Sequence, residues 1–386
     1  MSEGFELRKF VAPEFIFGVG ARSLAGRYAK NLGGRKILVV SDPGVVAAGW
    51  TRDVTDSLVE AGLPFALFTS VSPNPKVDEI MAGVALYHAE RCNALVAVGG
   101  GSSIDCAKGI GIVASNDRHI LLFEGVDMVR LPMPPLICVP TTGGTSADVS
   151  QFVIISNPLE KVKFAIISKS VVPDLALIDP ATLTTMDAYL TACTGLDALT
   201  HAIEAYVSTA RSAMTDLHAI EAIRLISANL LPSIANLGDL ELRSNVMQGS
   251  LQAGLAFSNA ILGANHAMAH SLGGALDIAH GECNAILLDH VIAFNQPTAP
   301  DRFEHIAEAM GLDLRGKTSV QKKSALLNHI RELKTAAGVA RTLKELGVGR
   351  DDVKFLTGHA LKDPCMATNP RKASKRDIEV VYEESL

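Results

Sequence analysis

Residues 94–108 read ALVAVGGGSSIDCAK. Ala94–Val98 is an unbroken apolar run, short enough for a strand and without the alternation of a half-exposed one, so it predicts a strand buried on both faces. Gly99, Gly100 and Gly101 follow at once, and Ser102-Ser103-Ile104-Asp105 then opens a helix through Cys106 and Lys108. Glycines let the backbone approach an anion closely, and a helix N-terminus offers free N–H groups and a positive dipole end. The turn is therefore a candidate seat for a pyrophosphate; the plainer alternative is a glycine-rich turn with an N-capping serine.

Similar runs recur at Lys36–Ser41, Pro64–Phe68, Pro135–Val139, Phe152–Ile155, Lys163–Ile167 and Leu175–Ile178, separated by helical stretches. Continuous apolar strands alternating with helices predict a parallel sheet covered on both faces. In such sheets the ligand crevice lies beyond the carboxyl ends of the strands. Val139-Pro-Thr141-Thr142-Gly143-Gly144-Thr145-Ser146 ends one strand with hydroxyls and glycines suited to phosphate or ribose oxygens. Asp42 ends another, where a carboxylate can accept from a ribose 2′-hydroxyl and repel a 2′-phosphate, or simply cap a turn. Gly18-Val-Gly20 is followed by Ser23 where the dinucleotide fingerprint needs glycine, so that fingerprint is absent.

Past Asp179-Pro180 the pattern becomes helical, rich in Ala, Leu and Ile, with no convincing strand. Two domains are expected, an α/β nucleotide-binding domain over 1–185 and an all-helical metal-binding domain over 186–386. The second holds His266, His270, His280 and His290, four of the eleven histidines, within Asn265–His290. His266 and His270 are spaced i, i+4 in NHAMAHSLGGAL, so both rings leave one helix face. Asp197 and His201 repeat that spacing in TGLDALTHAIEAY. An acid and histidines so arranged can chelate one divalent cation between two helices. His280 follows a Gly273-Gly274 interruption able to return the chain to the same place, whereas His218 and His290 read as surface or core residues. Each i, i+4 pair has a surface-contact reading as well.

A net charge of −6, 20% charged residues and a single short basic stretch at Arg371–Arg376 argue against nucleic acid or an anionic membrane as partner, leaving a small molecule. The first ten residues, MSEGFELRKF, lack a basic segment followed by an apolar one, and no apolar run reaches membrane-spanning length. The six cysteines are scattered, with no CxxC pair, which predicts reduced thiols. A cytoplasmic protein is expected.

Taken in order, GGGSSIDCAKGI, PTTGGTSADVS, TGLDALTHAIEAY, NHAMAHSLGGALDIAHG and DPCMATNPR resemble the iron-containing (group III) alcohol dehydrogenases over essentially the whole chain. The resemblance implies a dehydroquinate synthase-like fold: an N-terminal α/β domain binding NAD(P) and an all-α C-terminal domain holding one metal, Fe(II) or Zn(II), in the cleft between them. It implies Asp197, His201, His266 and His280 as metal ligands. His270 becomes the catalytic, nicotinamide-side histidine. Around NAD it implies Asp42, Asn74, Gly100, Gly101, Ser102, Thr141, Thr142, Ser150, Phe152 and Lys163, with Thr182 and Met186 flanking the domain junction. Phe152, Phe257 and Cys365 are expected to line the substrate pocket.

Some positions depart from the family pattern: Ser102-Ser103-Ile104-Asp105 replaces Ser-Pro-His-Asp, Asp148 replaces Glu, and Glu282 and Asp289 replace apolar or proline residues. They are expected near the pocket, where they bear on the substrate and leave the reaction unchanged. The resulting expectation is an NAD-linked alcohol dehydrogenase or aldehyde reductase for a small primary alcohol, working as a homodimer or larger homo-oligomer. The alternatives are a zinc polyol dehydrogenase of the glycerol type, a lyase of the dehydroquinate synthase type, and a non-catalytic metal- or nucleotide-binding regulator.

Overall fold

The computed structural model describes residues 9–160, 162–276 and 278–386. Most of the N-terminal stretch read above, and Lys161 within Lys161–Phe164, lie outside the described residues. The strands are β1 (Glu14–Phe17), β2 (Ile37–Val40), β3 (Phe65–Phe68), β4 (Ala94–Gly99), β5 (Gly125–Val126), β6 (Leu136–Pro140), β7 (Phe152–Asn157), β8 (Val162–Ile167) and β9 (Leu175–Ile178). Between them run α1 (Ala25–Asn31), α2 (Pro43–Ala47), α3 (Trp50–Glu60), α4 (Val77–Ala89) and α5 (Gly101–Asn116).

Six strands form one parallel sheet in the order β1-β9-β6-β4-β2-β3. Every residue of β2, β4, β6 and β9 is buried, which is why these strands read as continuous apolar runs. From β2 the chain moves to β3 on one side, and from β4 it moves to β6 on the other. The reversal point thus lies between β2 and β4, and their carboxyl ends, carrying Asp42 and Gly99–Gly101, frame the crevice that such a reversal opens.

The expectation of a single parallel sheet needs one correction. β7 and β8 pair antiparallel and, with β5, make a separate three-stranded sheet. Only residues 158–161 connect them, and a parallel pairing needs a crossover of a dozen or more. β1 and β5 are the strands missed in the sequence: β1 is a largely exposed edge strand without a buried apolar run, and β5 is only two residues long.

After β9 the described residues contain helices only: α6 (Ala188–Val207), α7 (Ala213–Ala235), α8 (Leu240–Ala260), α9 (Ala264–Leu276), α10 (His280–Asn295), α11 (Pro300–Ala309), α12 (Ser319–Ala336), α13 (Arg350–Ala360) and α14 (Lys375–Glu384). The centre is α6, started by Asp187, whose carboxylate accepts from Leu190 N–H at 2.7 Å. From Thr191 to Val207 every α6 residue but Thr194 is buried, so its polar residues face other protein groups and need partners there. The Gly273-Gly274 pair does not interrupt α9, which continues to Leu276. Its glycines instead admit β8: a Cβ on either would stand 2.8 Å from Lys163.

Candidate active site

The turn after β4 requires its glycines. Gly99 has φ +154°, and a Cβ there would lie 2.4 Å from Ser103 Oγ. A side chain on Gly101 would meet Thr145 Oγ1 at 2.7 Å. The backbone is thereby packed against the Thr141–Ser146 turn, and α5 starts with its N-terminus facing the crevice. Ser103 Oγ donates to Asp42 Oδ2 at 3.0 Å. The other Asp42 oxygen caps α2 by accepting from Val45 N–H, also at 3.0 Å, so Asp42 is a helix cap and a wall of the crevice at once.

That crevice is a cavity of about 720 Å³ lined by Asp42, Gly100, Ser102, Thr141, Thr142 and Met186. Ser102 also lines a deeper cavity of about 110 Å³, to which Gly101 contributes as well. Asn74, Ser150, Phe152, Lys163, Phe257 and His270 join the lining there. Lys163 Nζ donates to Asn74 Oδ1 at 2.7 Å, and Asn74 N–H donates to Ser102 Oγ at 3.2 Å, which ties β8 to the glycine turn. Thr182 and Cys365 are not brought to these walls. The Thr182 hydroxyl is fully buried and donates to the carbonyls of Asp179 and Pro140, and Cys365 is fully buried in the helical core.

The floor of the deeper cavity is formed by His201, His266 and His280. With Asp197 they make one cluster whose ligand atoms all lie within 4.8 Å of one another. Nε2 of His266 and of His280 each stand 3.7 Å from Asp197 Oδ1, and His201 Nδ1 stands 4.0 Å from Asp197 Oδ2. The His201 Nδ1 atom is buried without a hydrogen-bond partner, as a nitrogen meant for a cation would be. One carboxylate and three imidazoles on three helices suit a divalent transition metal. Burial alone would raise the Asp197 carboxyl, but the imidazoles of His201, His280 and His266 hold it well below the usual carboxylate range. Burial pushes the His201 imidazole down to about 3, so it offers a lone pair at neutral pH.

Helix packing sets these spacings. Gly281 follows the ligand His280, and a Cβ there would lie 2.3 Å from the Cys193 carbonyl oxygen on α6. No other residue lets α10 approach the helix of Asp197 and His201 so closely. Further groups orient the ligands. Glu204 accepts from His266 Nδ1–H at 2.6 Å and from the N–H groups of Asn265 and His266 at 2.7 and 3.3 Å, capping α9 while it aims the ring. Asn284 Nδ2 donates to Asp197 Oδ1 at 2.6 Å and lies within 3.2 Å of Nε2 of His266 and His280. The sequence reading missed both, although Glu204 follows His201 at i+3 and Asn284 follows His280 at i+4.

Asp105, in a segment expected near the pocket, does reach it. It lines the deeper cavity with Oδ2 accepting from Ile154 N–H at 3.1 Å and Oδ1 buried without a partner; burial pushes its carboxyl up to about 7. Asp148 is likewise buried and pushed up to about 6. Glu282 and Asp289, expected near the pocket, turn away from it. Glu282 accepts from Tyr189 Oη at 2.6 Å and Arg341 Nε at 2.7 Å, while Asp289 pairs with Arg331 and Lys334.

A metal-ligand cluster opening into a cavity that also reaches a strand-end turn suits a metal-assisted enzyme that binds a nucleotide. The chain belongs to the iron-containing alcohol dehydrogenase family: residues 12–180 match the iron-containing alcohol dehydrogenase model and 191–386 the C-terminal model of the same family. It is 40% identical to 1,3-propanediol dehydrogenase of Klebsiella pneumoniae over 96% of each chain. It is 35% identical to NAD-dependent methanol dehydrogenase of Bacillus methanolicus, over 98% of this chain and 99% of that one. A crystal structure of a 1,3-propanediol oxidoreductase superposes with a TM-score of 0.96 at 38% identity, covering 99% of this chain and 100% of that one.

Proposed function

We propose that the protein oxidises a small primary alcohol with NAD, or reduces the aldehyde in the opposite direction, in the cleft between an α/β domain over 1–185 and a helical domain over 186–386. One observation carries this reading: Ser102 of the glycine turn and the histidines of the ligand cluster line a single cavity, so a nicotinamide and a metal would meet there. Asp197, His201, His266 and His280 would hold the cation, Fe(II) or Zn(II). When bound, such a cation supplies Lewis acidity that favours loss of the alcohol proton, and the nicotinamide ring supplies the hydride acceptor.

The chain's own groups do the rest. The Gly99–Ser103 turn and α5 N-terminus seat the pyrophosphate, and Thr141 and Thr142 offer hydroxyls beside it. Phe152 and Phe257 meet edge to face with centroids 5.6 Å apart, and Phe257 stacks on His201 at 4.3 Å. This wall excludes water and fits a short alcohol carrying few polar groups. His270 borders the same cavity, from which it would exchange the proton. The edge strand β1, with Phe15 and Phe17 exposed, offers an apolar rim left unpaired among the described residues, suited to a homodimer. A cytoplasmic setting accords with six free, buried cysteines and with no described helix long and apolar enough to cross a membrane. The test is NADH formation from a panel of short alcohols by the Fe(II)- or Zn(II)-loaded protein, with His266→Ala as control. A metal-loaded protein that neither oxidises any of them nor reduces the aldehydes would overturn the proposal.

A further inference from the structure

Asp363 lies 93 residues beyond His270 in the chain. It caps the 3-10 turn Pro364–Thr368, and its Oδ1 accepts from Cys365 N–H at 2.8 Å. Its Oδ2 stands 2.8 Å from His270 Nδ1. One carboxylate oxygen is thus fixed by backbone while the other meets the ring. The ring is 5% exposed and stacks on His280 with centroids 5.2 Å apart.

His270 also stands in a wall between two spaces. On one side is the 110 Å³ cavity of the ligand cluster. On the other is a cavity of about 390 Å³ lined by Asp363, Lys362, His359 and Glu124. An ionised carboxylate only accepts, so the bond to Asp363 requires the proton on Nδ1, and in the neutral ring Nε2 then carries the lone pair. The ring then presents an acceptor, instead of an N–H, as its remaining polar atom.

We propose that Asp363 is a positioning residue for the reaction: it fixes the tautomer and tilt of His270 from behind, so that Nε2 serves the cavity where alcohol and nicotinamide meet. The inference rests on the functional reading above, since it assigns His270 a part in turnover. Asp363→Ala removes the acceptor and frees the ring to rotate and to carry its proton on Nε2. Asp363→Asn keeps a carboxamide oxygen that can accept from Nδ1, without the charge.

The experiment uses the full-length Zn(II)-loaded protein with ¹⁵N-labelled histidine, the His270 signals being assigned by their loss in His270→Gln. The wild type should show His270 protonated on Nδ1, and Asp363→Ala should shift it towards the Nε2–H form. In steady-state assays Asp363→Ala should keep its metal and its alcohol KM within about threefold while kcat falls about 10- to 100-fold, the size typical of lost orienting groups. Asp363→Asn should recover part of that loss. A wild-type Nε2–H tautomer, an unchanged kcat in Asp363→Ala, an effect on KM alone, or metal loss matching His266→Ala would each overturn the proposal. The tautomer is read without turnover, so a wild type inactive on every alcohol would refute the functional reading and leave the positioning claim to be decided by NMR.

Discussion

Replacing Glu204 by Gln should weaken metal binding without unfolding the protein. Glu204 is 4% exposed and its carboxylate receives three N–H groups, of which the shortest contact is His266 Nδ1 at 2.6 Å. A glutamine can leave its carbonyl oxygen on Asn265 N–H, so the cap of α9 survives in part. Its NH₂ then faces His266 Nδ1, and two donors cannot share that contact. The ring answers by moving its proton to Nε2, the atom 3.7 Å from Asp197 Oδ1 within the cluster. A cation can reclaim Nε2 only by restoring the opposed donors. The cost is about one hydrogen bond to a charged group, roughly 1.5–3 kcal/mol. At about 1.4 kcal/mol per tenfold, Zn(II) affinity should drop about 10- to 100-fold, the range seen for lost partners of ligating histidines. Competition against a chelator of known affinity, with circular dichroism to verify the fold, measures it. Equal Zn(II) affinity in the two proteins would show that Glu204 caps α9 and does nothing for the metal.

Asp42→Gly should raise the relative kcat/KM for NADP, because the wild-type carboxylate at the end of β2 repels a 2′-phosphate; equal use of both cofactors by the wild type would refute this. Gly281→Ala should push α10 from the Cys193 carbonyl, at a cost of about 1–3 kcal/mol, lowering both Tm and metal content; full occupancy would show that the close approach does not set the ligand spacing. Asp105 is charged at a penalty in the folded state, its carboxyl standing at about 7 against about 3.9 when unfolded. A raised acid contributes full stability below the unfolded value and loses it as pH rises through the folded one. Asp105→Asn should therefore gain on the wild type in urea midpoint between about pH 4 and pH 7, and parallel curves would place the carboxyl elsewhere.

Much of this was legible because burial on both faces leaves a plain signature: β2, β4, β6 and β9 are apolar throughout, and their ends carry the glycines and hydroxyls of the crevice. The chelating residues were legible as i, i+4 pairs because a helix puts such positions on one face. Gly273 and Gly274 misled, since a glycine pair signals a break equally with the close approach of a neighbouring strand. The antiparallel β7–β8 hairpin was readable from its short connection and was overridden by the parallel pattern around it. Cys365 sits two residues from Asp363, yet the turn that presents the carboxylate to His270 buries the thiol in the core. The pairing of Asp363 with His270 left no trace in spacing, because it exists only once α9 and the chain after α13 have packed.

The pairing of β1 with β9 bears on how the chain comes to be made. Gly20 N–H donates to Asp179 Oδ2 across 159 residues, and the Arg22 guanidinium joins the same carboxylate, so among the described residues the first strand finds its one sheet neighbour at the last. At about 5–20 residues per second of synthesis, β1 waits on the order of ten to thirty seconds on the ribosome without its sheet partner. β2, β3 and β4 can assemble during that delay, since each is adjacent to another of the three. The first-made strand is therefore the last piece of the sheet to be laid down, and it closes the α/β layer just as α6 begins to emerge.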